Sequence, residues 1–112
     1  MELIKTDIEK LMKKESYVNT NQYADKELNY SFNCFCFLEN LSPMFHKMLN
    51  GDLETIFYSK YYWFTKYKNR YIKLYGKDAG IEQQQFKIIE EIEQEFGDIQ
   101  WDLVERIENG QV

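Results

Sequence analysis

A chain of 112 residues, 44% hydrophobic and 17% aromatic, has the length of one domain with its own core and too many apolar residues to be disordered. The net charge is −5, from fourteen Lys and Arg against nineteen Asp and Glu, so a uniformly basic nucleic-acid-coating protein is excluded. No apolar run approaches the roughly 20 residues that span a bilayer, and Met1 to Glu15 lacks the basic start and apolar run of a secretory signal, so a cytoplasmic location is expected.

In chain order, Leu3, Ile4, Ile8, Leu11 and Met12 form an amphipathic stripe that predicts a first helix over 2–14. Thr6 or Glu2 can open it, and Lys13 and Lys14 suit its last turn. Ser16 to Asn21 is polar and reads as a connection.

Residues 21–41 carry two signals. Leu28, Tyr30, Phe32, Cys34, Cys36 and Leu38 alternate as a strand would. At helical spacing, Gln22, Lys26, Asn29, Asn33 and Asn40 gather on one polar face, and most apolar side chains take the other sides. The helix reading explains more residues; the fallback is an α+β fold with a hairpin at 17–38. Cys34 and Cys36 would point about 200° apart on that helix, unsuited to a disulfide, and read as reduced core residues. With His46 alone beside them they fall short of a zinc site.

Ser42-Pro43 is a helix start, and Met44, Phe45, Met48 and Leu49 predict a short helix over 43–49, stopped at Asn50-Gly51. The next stretch organises the rest. From Asp52 to Tyr75 one helix is predicted, about 35 Å long at 1.5 Å per residue. Asp52 is its N-cap and Gly76 its left-handed stop. Leu53, Ile56, Phe57, Tyr61, Trp63, Phe64, Tyr67, Tyr71, Leu74 and Tyr75 share one broad side; Thr55, Ser59, Lys66, Asn69, Arg70 and Lys73 share the other. After a turn at Lys77-Asp78-Ala79-Gly80, Ile89, Ile92, Phe96, Ile99 and Leu103 keep a 3-4-3-4 spacing, and Ile107 lies near its continuation. The seam passes straight through Gly97-Asp98, so a single helix over 81–108 is expected, kinked at most at Gly97. The fold predicted is a single-domain all-α bundle of about five helices.

Charge is unevenly distributed. Residues 56–77 hold six basic residues and no acid, whereas residues 78–112 hold ten acids against Lys87 and Arg106. Lys66, Arg70, Lys73 and Lys77 form a basic stripe beside Tyr62 and Tyr58. It can be a solvated face, can meet the acidic last helix of the same or a second chain, or can contact phosphates or an acidic partner. Glu90, Glu91, Glu95, Asp98, Asp102 and Glu105 form the acidic counterpart, which could imitate the phosphate rows of nucleic acid.

No nucleotide-binding glycine motif, metal-binding signature or nucleophile–base pair occurs, so no enzyme, cofactor or metal is expected. In composition, short and rich in Lys, Asn, Tyr and Ile, the chain is similar to small proteins of phages and mobile elements, a pool that includes anti-CRISPR and other anti-defence proteins. No motif accompanies that likeness, and no functional residue follows from it. The function expected is inhibition or masking of a basic, nucleic-acid-handling protein, anti-defence or immunity-type, with a homodimer possible. The alternatives are nucleic-acid binding through the basic stripe and a structural subunit of a larger assembly.

Overall fold

The computed structural model describes residues 5–41, 53–76 and 80–112, and within them it is all-helical. Among these residues there are five helices: α1 Lys5–Lys14, α2 Lys26–Glu39, α3 Leu53–Tyr75, α4 Ile81–Phe96 and α5 Trp101–Glu108. The predicted helix over 43–49, His46, the Asp52 cap and Lys77 lie outside the described residues. The hairpin alternative is excluded, since 26–39 is helix and 17–23 has no regular structure.

Helix α3 is the middle layer. Helix α2 packs on one side of it, and α4 and α5 pack on the other. The α2 side is aromatic: Tyr30 meets Trp63, Phe35 meets Phe64 and Phe32 meets Tyr67, with ring centroids 5.0–5.6 Å apart. Each such ring buries a large apolar area, and the edge-on or tilted geometry adds about 0.5–1.5 kcal/mol per pair. On the far side Phe57 meets Phe96, and Ile88 and Ile92 of α4 are fully buried.

Two-sided covering overturns the predicted division of α3. Ser59 and Thr65 are buried, although the helical wheel assigns Ser59 to the solvent side. Lys60 is also buried, its ammonium held by Glu91 at 2.9 Å and lying 5.5 Å from the Phe57 ring. Leu74 and Tyr75, assigned to the apolar side, are exposed.

Helix α2 starts later than predicted, at Lys26, where Asp25 caps it by accepting from the Leu28 amide at 2.9 Å. Its predicted polar face does not simply meet water. Asn33 is 2% exposed. Its Oδ1 accepts from the Thr20 amide at 2.9 Å, and its Nδ2 donates to the carbonyls of Thr20 at 3.1 Å and Asn29 at 2.8 Å. Asn29 donates to the same Thr20 carbonyl and accepts from the Tyr23 amide. These amides give the irregular segment before α2 the backbone partners it lacks. Helix α1 joins through Ile8, Leu11 and Met12 in the core and through Tyr30, which donates to Glu9 at 2.7 Å.

The single helix over 81–108 is contradicted. Gly97 ends α4 with φ +84° and ψ −90°, its amide bonding the Glu93 carbonyl, and α5 begins only at Trp101. The interruption of about four residues is close to one helical turn, so the apolar spacing stays in phase across it. The seam is corrected too. Ile92 is fully buried on it, but Ile89, Phe96, Ile99 and Leu103 are only partly covered, and Ile88, Val104 and Ile107 make the innermost line.

Candidate functional site

The described part of the predicted basic stripe lies on α3, the predicted acidic surface lies on α4, α5 and the link between them, and each is altered by contacts within the chain. The basic stripe is reduced. Arg70 donates through Nε and Nη2 to the two carboxylate oxygens of Asp25, at 2.9 and 2.7 Å, and its Nε lies 3.2 Å from Glu27. A guanidinium engaged in this fork on a carboxylate has little capacity left for a phosphate. The pair holds the Asp25 carboxyl at about 2, first through the Arg70 bonds and then through the Leu28 amide. Lys66 and Lys73 remain exposed and have no carboxylate partner among the described residues. Lys66 lies 5.4 Å over the half-buried Tyr62 ring, and Tyr58 is buried with its hydroxyl accepting from the Gln100 amide.

Arg70, Lys66, Lys73 and Tyr62, but not Tyr58, border a groove of about 680 Å³ between the start of α2, the second half of α3 and residues 107–112. Lys26 joins Lys66 and Lys73 on it, and Tyr30, Tyr62 and Trp63 give it an aromatic wall. The Trp63 indole N–H is buried without a hydrogen-bond acceptor.

The acidic surface is largely free. Glu90, Glu95, Asp98, Asp102 and Glu105 are exposed and make no ion pair among the described residues. Glu91 is the exception, committed to Lys60. Glu108 is also used internally: the Tyr61 hydroxyl donates to it, Gln85 Nε2 donates to the same hydroxyl at 2.8 Å, and Lys68 donates to Gln85. Burial, then the adjacent Glu108 carboxylate, raises the Tyr61 phenol well above its ordinary range, so this network stays hydrogen-bonded at neutral pH.

The sequence reading passes over the most exposed aromatics on this side. Phe86 on α4 and Trp101 on α5 are 61% and 57% exposed. Both line a depression of about 300 Å³ together with Ile89, Glu82 and Glu108. Each falls off the heptad seam, and an aromatic on the acid-bearing side of an amphipathic helix is the sequence signal that marks them. On α4 the spacing places Glu82, Phe86, Glu90 and Glu93 in one row; on α5 it places Trp101, Glu105 and Glu108 in another.

The cysteines form no disulfide, Cys34 is buried and Cys36 half-buried, and burial pushes the Cys36 thiol up, away from the reactive thiolate. Among the described residues no group of His, Cys, Asp and Glu is placed to hold a metal ion, and no helix is long and apolar enough to cross a membrane. Comparison with protein-family models, with curated proteins and with solved structures returned no match.

Proposed function

We propose that this chain is a non-catalytic binding protein whose acidic α4–α5 face docks on and masks a basic surface of a nucleic-acid-handling protein, as an anti-defence, anti-CRISPR-like or immunity-type inhibitor does. The observation that carries this reading is the exposed pair Phe86 and Trp101, which line one depression on the same two helices that, with their link, bring the exposed Glu90, Glu95, Asp98, Asp102 and Glu105 to the surface. Large aromatics in a pocket supply binding energy, and surrounding charges of one sign speed encounter with the opposite sign and fix register. A merely solvating acidic coat has no use for two solvent-facing rings. The nucleic-acid alternative has less support, because Arg70, central to the basic stripe, is already held by Asp25 and Glu27.

The test is affinity capture from the native host with the wild-type chain and two variants, Phe86→Ala/Trp101→Ala and Glu90→Gln/Glu95→Gln/Glu105→Gln. A basic partner is expected that both variants lose, and adding the wild-type chain should stop that partner from binding nucleic acid. At raised salt the glutamine variant and the wild type should converge, since screening falls within about 10 Å at 0.1 M salt. A partner retained equally by both variants refutes this face as the working surface.

A further inference from the structure

We infer that the groove between α2 and α3 is a binding site for a small organic phosphate of nucleotide size, separate from the acidic docking face. Its volume of about 680 Å³ lies in the range of pockets that hold cofactors and drug-sized molecules. On a chain of net charge −5 it gathers Lys26, Lys66 and Lys73, none of them neutralised by a carboxylate among the described residues. Glu27 also borders the groove, 75% exposed, and shares Arg70 with Asp25.

The kind of cation left over indicates the kind of anion. Arginine, which matches planar carboxylates in a two-point fork, is withdrawn into the Asp25 pair. The three remaining ammonium groups are compact point charges that suit a tetrahedral phosphate approached from several directions. Tyr30, Tyr62 and Trp63 line the same groove and offer apolar surface to a planar base.

A second, independent observation indicates that something is accepted here. Trp63 is 3% exposed and its indole N–H has no acceptor, beside a groove that carries the ammonium groups of Lys26, Lys66 and Lys73. Buried donors in native proteins are nearly always paired, and a ligand oxygen entering the groove supplies the missing acceptor. The partly exposed Tyr62, whose ring stands edge-on to Trp63 at 5.1 Å, lines the groove next to it.

The chain has two tryptophans, so an amide correlation spectrum shows two indole N–H signals, and a Trp101→Phe variant assigns them. The ¹⁵N-labelled full chain is titrated separately with ATP, pyrophosphate, adenosine and a twelve-residue oligothymidylate at low salt. ATP is expected to move the Trp63 signal downfield and leave that of Trp101 in place; pyrophosphate should bind more weakly and adenosine not at all. Lys66→Glu/Lys73→Glu, both at exposed positions, should weaken ATP by at least about tenfold without changing the helix content. No movement of the Trp63 signal up to roughly 5 mM ATP overturns the proposal. So does binding unaffected by the lysine reversal, and so does an oligothymidylate that binds tighter than ATP, which would make the groove a nucleic-acid surface. Phe86→Ala/Trp101→Ala leaves this site intact, so its failure and the failure of the acidic docking face are separable.

Discussion

Replacing Asn33 tests the most consequential polar contact in the fold. Asn33→Ala removes three well-formed bonds, with the Thr20 amide, the Thr20 carbonyl and the Asn29 carbonyl, at 2.8–3.1 Å. Thr20 is exposed, so its freed groups reach water, and the Asn29 carbonyl lies within α2. The full penalty for orphaned buried groups therefore does not apply, and a net value of about 1 kcal/mol per bond gives a loss of about 3 kcal/mol. That is a large fraction of the about 5–15 kcal/mol typical of a whole domain. Urea denaturation monitored by circular dichroism reads the loss, and hydrogen exchange at the Thr20 amide reads its cause. Asn33→Leu separates polarity from volume: it restores about 1–2 kcal/mol through apolar burial but leaves the Thr20 amide as unprotected as the alanine does. A loss below about 1 kcal/mol for Asn33→Ala, with Thr20 exchange unchanged, would show that the side chain does not anchor the segment before α2.

Two further perturbations follow. Gly97→Ala should destabilise the chain by about 1–2 kcal/mol, because an L-residue is strained at φ +84° even though an added Cβ meets nothing within 4 Å; an unbroken helix there would instead gain about 1 kcal/mol from alanine, so the sign of the change in thermal midpoint decides. The Asp25 carboxyl is held at about 2, below its ordinary 3.8, so the unfolded chain binds its proton first; its contribution is complete above about pH 5 and is lost as pH falls through 4 towards 2. Asp25→Asn, which keeps a capping oxygen, should therefore flatten that part of the acid-unfolding curve, and an unchanged curve would refute the linkage.

Periodicity made the helices legible, and it failed where a helix has neighbours on more than one side. The wheel finds α1, α3 and α4 because each has an apolar stripe, but it cannot show that Ser59, Lys60 and Thr65 lie beneath another element. For α2 the helical reading holds while its reason changes: a row of asparagines looks the same whether it meets water or the backbone of residues 17–23. The break at Gly97 is hidden because four non-helical residues replace about one turn and keep the apolar positions in register. The Asp25–Arg70 pair spans 45 residues, beyond any local spacing rule, and it alters the reading of the basic stripe. The run of acids along α4 and α5 is plain in the sequence, but the Lys60–Glu91 pair within it and the exposure of Phe86 and Trp101 depend on long-range packing.

The burial of α3 on two sides has a consequence for how this protein diverges. From Ile56 to Tyr67 only Phe57, Tyr62 and Lys66 are not buried, so nearly every change in that span alters a packed volume or an internal bond. Outer positions such as Glu93, Gln94 and Glu95 have no such constraint. Substitution should therefore be slowest along this short central strip, and a distant descendant should keep its alternation of rings and small polar residues after the outer helices have changed beyond alignment.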